Sequence, residues 1–436
     1  MAILFDKDTK VKLRRFRKDR RAYISFLILA GLFFITLPAE LLCNVRPLLL
    51  VLEGRPYFPI LVQYSEQDFD GSLLSEPDYK SERFAQILSG MPLETSKASP
   101  NPTSGLTLDS GDFEDNTETP PFSLDLEDFE EEPVFQLGLE DFEVDEARPT
   151  VQDVTPPATM LRSSPRSYWM IWPPIRYDYK QIPSVSLSGK VVLAAPYETT
   201  VGESTEIIPS SWVDGHYLGT DDRGRDILAR LIYGFRISMI FGISLAITGT
   251  LLGCLIGGTQ GFFGGWVDLI GQRLTEIWGS IPRLYILIIL SSFLVPSALI
   301  LFIILNLTAW MGIAAYIRAE FLKIRNYEFV KAARSMGVSN FTIMRRHILP
   351  NALTPVVTFF PFEVTAGILA LVSLDYLNLG VPSPAPSIGE LLAQGKNNLQ
   401  AIWIILPTFA VLTLTLTFLT FVGEGIRNAF DPRKSA

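Results

Sequence analysis

The chain has 436 residues, 48% of them apolar, with a formal net charge of −9 and two cysteines. That length admits one large domain, but the apolar residues gather in membrane-length runs, which excludes an ordinary soluble protein. The acidic average is itself a composite: residues 63–146 hold 23 Asp or Glu against three Lys or Arg, a local charge of −20, so the remainder carries +11.

Five apolar runs, 22–42, 237–258, 298–317, 353–373 and 402–422, match the ~20 residues that a hydrocarbon core requires. A buried core helix can imitate one such run, but five cannot hide inside one soluble domain. An all-α integral membrane protein in contact with lipid is expected, with no nucleic-acid partner. Cys43 and Cys254 are too few and too far apart for a disulfide framework. His216 and His347 lack the Cys or carboxylate spacing of a metal site.

Nine Lys or Arg fall between Lys7 and Arg21, so residues 1–21 read as a basic interfacial segment. Each such charge near an anionic leaflet contributes ~1 kcal/mol, and the expected role is orientation and anchoring. The first span, 22–42, is too long for a cleaved signal peptide, and Pro38-Ala39-Glu40-Leu41 lacks a small-x-small cleavage site.

Residues 43–236 then form a long extramembrane region. Its start, 45–61, reads as a short ordered β or loop segment. From about 89 to 164 the composition turns to Pro, Ser, Thr, Asp and Glu, with a rough repeat of Leu124-Asp125-Leu126-Glu127-Asp128-Phe129-Glu130 in Leu137-Gly138-Leu139-Glu140-Asp141-Phe142-Glu143. Too little apolar area is available there to offset ordering entropy, so a disordered acidic insert is expected. A calcium site would need an Asp-x-Asp-x-Asp-Gly loop, which the tract does not contain. Order signals return at Tyr168-Trp169-Met170-Ile171-Trp172-Pro173-Pro174, where two Trp suggest an interfacial platform.

The main membrane-embedded core occupies 237–426. Gly249, Gly253, Gly257, Gly261 and Gly265 recur every fourth residue, a stripe that lets two helix backbones approach closely. No strand precedes it and no Gly-Lys-Ser/Thr follows, so phosphate binding is not its purpose. The next stretch is ambiguous. Its purely apolar part, 284–295, is too short to cross alone, whereas a helix starting near Glu276 and kinked at Pro282 suffices; a re-entrant hairpin is the alternative.

Between two later spans lies a polar, helix-forming segment, about 318–350. Ala332 and Ala333 favour helix and keep one face shallow, Gly337 supplies a turn or a close approach, and Pro350 ends the run. Glu363 falls near the middle of the fifth apolar run, where an ionised carboxylate costs ~2.5–3.5 kcal/mol on insertion scales. A cationic substrate group, a pairing between subunits or a protonated acid each satisfies it.

Charge asymmetry orients the chain. Seven Lys or Arg lie between Arg318 and Arg346, three more follow the last span, and 380–401 holds only Lys396. The positive-inside bias therefore puts both termini, including the 427–436 tail, and the 318–350 loop in the cytosol, which requires an even number of crossings, six.

The segment Lys331-Ala332-Ala333-Arg334-Ser335-Met336-Gly337, followed by His347-Ile348-Leu349-Pro350-Asn351, resembles the EAA loop of permeases in ATP-driven importers. Lys331 replaces that loop's Glu, and His347 an aliphatic residue. Leu218-Gly219-Thr220-Asp221-Asp222-Arg223-Gly224-Arg225-Asp226 is similar to the segment preceding the second span in C-type permeases of dipeptide, oligopeptide and nickel importers. The tail from Phe421 to Arg433 resembles the ending of the same family. Gly389-Glu390-Leu391-Leu392, Gln394-Gly395-Lys396-Asn397-Asn398-Leu399-Gln400 and Trp172-Pro173-Pro174-Ile175-Arg176 narrow the resemblance to microcin C and peptide importers of the bacterial inner membrane. It covers roughly 1–85 and 165–436; the acidic insert departs from it.

The resemblance implies a type I importer permease fold and half of a heterodimeric pore. Its implied partners are a homologous B-type permease, a cytosolic ABC ATPase that uses ATP and Mg, and a periplasmic peptide-binding protein. In that family the coupling loop, here Lys331, Ala332, Ala333, Gly337, His347, Leu349 and Pro350, sits in a groove of the ATPase. Without a Walker A sequence the chain itself is expected to be non-catalytic and to bind no cofactor. An ion-coupled secondary transporter would call for intramembrane relays and a helical repeat, and a membrane-anchored sensor would not explain the spans around a coupling loop.

Overall fold

The computed structural model describes residues 7–90, 166–182, 189–200, 207–293 and 297–430. The expected disordered insert lies, from residue 91 onward, outside the described residues, as does the tail from 431.

A basic α1 (Lys7–Lys18) leads into α2 (Arg20–Thr36), and Asp19 between them caps α2 by accepting the Ala22 amide at 3.4 Å. The first apolar run is not one helix over 22–42. It breaks at Leu37-Pro38 and resumes as a short α3 (Ala39–Leu42), because proline lacks an N–H and disfavours helix in the residue before it. The 17 residues of α2 make ~26 Å of helix, the lower end of a crossing length.

Residues 45–61 contain β1 (Leu49–Leu52) and β2 (Arg55–Tyr57), an antiparallel hairpin turning at Glu53-Gly54. Both turn residues have positive φ, 51° and 82°, as a tight two-residue hairpin turn requires. β3 (Tyr168–Ile171) joins β1 to complete a three-stranded sheet, with Trp169 on its exposed face. Residues 65–168 form a separate unit. In its described part α4 (Glu82–Ser89) buries Phe84 edge-on to Phe69 and Tyr79, while Arg166 pairs with Asp70 at 2.7 Å. β4 (Thr199–Thr200) and β5 (Ile207–Ile208) form a minimal ladder.

The remaining chain is helical: α5 (Ile227–Phe263), α6 (Gly265–Gly279), α7 (Arg283–Phe293), α8 (Ala298–Ile324), α9 (Glu328–Ser335), α10 (Asn340–Thr342), a π-helical turn (Ile343–Ile348), α11 (Leu349–Tyr376), α12 (Ile388–Asn397) and α13 (Ile402–Phe430). Four of the described helices, α5, α8, the continuous run Asn340–Tyr376 and α13, are long and apolar enough to cross a membrane. Within the chain only 22–39% of each apolar window is buried, so the rest of that surface must meet lipid or another subunit.

Side-chain contacts give the directions. Gly249 meets Ala309 and Gly261 meets Phe321, so α5 and α8 run parallel. Gly242 meets Val364 and Ile368 while Gly234 meets Ile388, so α11 returns antiparallel to α5. Ala22 packs on Gly425, and Arg236 pairs with Glu40 at 2.9 Å, which sets α2 against α13 and α5. As a result α1, α9 and the end of α13 share one end of the bundle. The start of α5, α12 and the start of α13 share the other.

Because α5 and α8 are parallel, the intervening residues must carry the chain back along them. They do so as two helices rather than one helix from Glu276 kinked at Pro282. α6 starts at Gly265 and runs antiparallel to α8, with Arg318 donating to both oxygens of Asp268 and Trp278 Nε1 donating to Leu307 O at 3.0 Å. The chain turns at Ser280–Pro282, and α7 continues against Leu301 and Leu305. Pro282 has no amide hydrogen to extend α6 but suits the entry to α7.

Candidate functional site

The polar segment after α8 forms a platform. α9 buries Val330 and Ala333, three residues apart and hence on one face, in a cluster with Phe262 of α5, Phe321 of α8 and Ile343, Ile348 and Ala352. The outer side of the platform exposes apolar side chains: Phe329 of α9 is 44% exposed, Met336 at its C-terminal cap 75% and Phe341 of α10 71%. Lys331 and Ala332 are also on the outer side, and Lys331 pairs with Glu328 at 3.1 Å. Gly337 takes φ +77°, and no atom lies within 4 Å of where a Cβ would stand, so it serves the turn and not a close approach within the chain. His347 and Leu349 are half-buried and Pro350 is exposed.

Pro350 does not end this run. It sits in the first turn of α11, where an absent N–H costs nothing, and the π-helical turn before it carries the helix from Asn340 through to Tyr376. The Phe341 end of the platform and the long α11 are thus one continuous helix, which α9 joins across the Gly337 turn.

The glycine stripe forms the seam between α5 and α8. A Cβ on Gly257 would fall on the Ala314 carbonyl, one on Gly253 would lie 2.8 Å from the Ile313 side chain, and one on Gly261 would lie 2.6 Å from the Arg318 carbonyl. Gly265 is not part of it: it opens α6 with nothing within 4 Å of its Cβ direction. Glu363 lies on α11, half-buried, lining a cavity of about 50 Å³ with Gly249, Thr250 and Ala309. Water needs roughly 10–15 Å³, so the cavity is roomy enough for it. The glycine stripe and the acid, more than a hundred residues apart in sequence, meet at this point.

At the opposite end of the bundle is an ion network built on the Leu218–Asp226 segment and α12. Asp226 caps α5, accepting the Ala229 amide at 2.7 Å, and its other oxygen lies 2.8 Å from His216 Nδ1. His216 stacks on Tyr177, whose hydroxyl donates to Asp214 O at 2.5 Å and whose pKa burial pushes up to about 12. Asp221 accepts the backbone amides of Arg223 and Arg225 at 2.9 and 2.8 Å and pairs with the Arg225 guanidinium at 2.7 Å. Arg225 and Arg230, 2% and 0% exposed, both reach across to Glu390 of α12, at 3.2 and 2.5 Å. Two anions thus face two cations in a buried, balanced set. Ser383 accepts from Arg223 and Arg225, and Asp375 at the end of α11 accepts from Ser387 at 2.5 Å and from the Val381 amide at 2.9 Å. Asp222 stands apart, with one carboxylate oxygen buried and without a donor; burial, then the neighbouring Asp221 charge, raises its pKa.

Charge complementarity was the available signal: Glu390 is the one acid in 380–401, opposite a motif with three Arg in eight residues. The partner choice was not legible. Arg230 stands four residues after Asp226, yet it turns to Glu390 because Asp226 is engaged by the helix start and by His216.

A family described as "Binding-protein-dependent transport system inner membrane component" matches residues 249–436. The "Peptidoglycan transport system permease protein YejE" of Agrobacterium fabrum is 37% identical across 99% of this chain and 94% of its own length. The "Inner membrane ABC transporter permease protein YejE" of Escherichia coli K12 is 35% identical across 97% and 96%. The "Oligopeptide transport system permease protein OppC" of the same strain is 37% identical over 50% of this chain and 73% of its own.

Proposed function

The chain belongs to the family of inner-membrane permease components of binding-protein-dependent ABC transport systems, and from that premise we propose that it forms half of the translocation pathway of a peptide importer, for oligopeptides or microcin C-like cargo. A homologous B-type permease supplies the other half. A cytosolic ABC ATPase, which uses the ATP and Mg, docks on the α9 platform, and a periplasmic peptide-binding protein delivers cargo at the end bearing the ion network. The chain is a non-catalytic subunit in a type I arrangement of six crossings, counting α2 and the α6–α7 return, with both termini cytosolic. The shared end of α1, α9 and α13 supports that orientation, because it gathers the basic segments on one side.

The observation that carries this reading is the platform itself. Its outer face offers Phe329, Met336 and Phe341 to a partner, while its inner face is locked by Val330 and Ala333 to α5, α8 and α11. Displacement of α9 by a closing ATPase therefore has a packed route into three spans, the requirement for switching between outward and inward access. Gly337→Asp tests it. Asp there places a charge on the docking face, and since Asp, like Asn, tolerates φ +77° better than most residues, the charge is what the substitution tests. Uptake and transport-coupled ATP hydrolysis should be lost with expression and membrane insertion intact, whereas Gly337→Asn, which tolerates this backbone region, should retain much of both. Full coupling in the Asp variant refutes the assignment.

A further inference from the structure

The face formed by α1, α2 and α13 carries a groove that the transport reading does not use. Near α1 it has a volume of about 410 Å³, with Lys12 and Arg17 at its rim over a floor that includes Phe26, Val422 and Ile426. The same three apolar residues line a second groove of about 320 Å³ that continues along α2, α11 and α13 towards Phe34. The two are one channel, cationic at its α1 end and apolar along the rest.

α1 is held in place rather than tethered. Phe16 is buried in the bundle core beside Gly425, and Lys12 stands 4.6 Å over the Phe430 ring. The apolar walls remain open: Leu13, Phe26, Leu27 and Phe34 are 51, 46, 49 and 68% exposed. A chain that spans a membrane meets hydrocarbon on such a wall, and a basic rim at one end of it selects an anion.

We propose that this channel is a binding site for an anionic phospholipid, with the headgroup phosphate between Lys12 and Arg17 and an acyl chain along the α2–α13 groove. Charge complementarity joined to a continuous apolar lining identifies the occupant, since neither a soluble phosphate nor a neutral lipid uses both parts. The site does not depend on the nature of the cargo or on which side of the membrane α1 faces.

The test is native mass spectrometry of the full chain with its partner subunits, exchanged into phosphatidylglycerol or phosphatidylcholine. Wild type should retain phosphatidylglycerol preferentially, and Lys12→Gln with Arg17→Gln should weaken that preference by ~30-fold, the effect of two basic side chains at an anionic surface. Lys12→Arg with Arg17→Lys should restore it. Arg14→Gln with Lys18→Gln removes two exposed charges that do not line the groove and should leave it largely intact. Equal retention of the two lipids by wild type overturns the proposal, and equal losses in the groove and control pairs overturn it in favour of diffuse attraction. A photo-crosslinker at Leu27 that captures the second permease instead of lipid overturns it in favour of a subunit interface.

Discussion

Replacing Glu390 by Gln tests whether the outer ion network holds α5 to α12. In the native protein Asp221 and Glu390 balance Arg225 and Arg230, and both guanidinium groups are at most 2% exposed. Gln leaves the site with one uncompensated positive charge. Breaking a buried pair by removing one partner costs about 3–5 kcal/mol. The Glu390 side chain is 14% exposed, and the amide oxygen still accepts one hydrogen bond, so the low end of that range applies. At about 2.1 cal/mol/K of unfolding entropy per residue, a chain of 436 residues shifts by roughly 1 °C per kcal/mol, so the unfolding midpoint of the detergent-solubilised complex should fall by about 3 °C. Arg230→Met should cost a similar amount by leaving one excess negative charge. The double variant restores neutrality, so its loss should fall short of the sum by ~2–3 kcal/mol, the coupling expected of contacting groups. Additive losses, or a Glu390→Gln midpoint equal to that of wild type, refute the argument. Unfolding followed by size-exclusion fluorescence reads both.

Other substitutions probe the remaining features. Gly257→Ala drives a methyl into the Ala314 carbonyl and should destabilise the isolated subunit by about 1–3 kcal/mol, whereas Gly312→Ala, with nothing within 4 Å, should leave the unfolding midpoint unchanged or raised. Glu363→Gln should reduce uptake of cationic peptides more than neutral ones; an equal loss with weakened assembly marks a subunit contact instead, and wild-type uptake with wild-type assembly marks a protonated acid. Asp222 gives a pH test. Burial and the Asp221 charge, with a further push from Glu390, outweigh Arg223 and Arg225 and raise its pKa above the ordinary 3.8. Such an acid contributes stability while protonated and loses it as pH rises through the raised value. Asp222→Asn should therefore raise the unfolding midpoint at neutral pH, with the gain fading as pH falls towards 3.8; an unchanged gain at acid pH contradicts the assignment.

Membrane residence, the basic segments and the family were legible in the residues, because hydrocarbon thickness, charge bias and motif order act on contiguous sequence. The small-residue stripe was legible too, through its four-residue period, although period alone extended it to Gly265, which the structure assigns to the start of another helix. Tertiary structure decided what depends on direction and on distant partners. Pro350 and Pro282 look alike as helix breakers, yet Pro350 starts a helix that a preceding π turn has made continuous, while Pro282 follows a true break. Local sequence does not specify which carbonyls remain to be satisfied at either place. Glu390 could not be paired with Arg225 and Arg230 from sequence, since about 160 residues separate them and the nearer Asp226 is a plausible rival. Only the antiparallel return of α11, which brings α12 over the start of α5, puts those charges in one buried volume. There the cost of leaving any of them unpaired selects the arrangement.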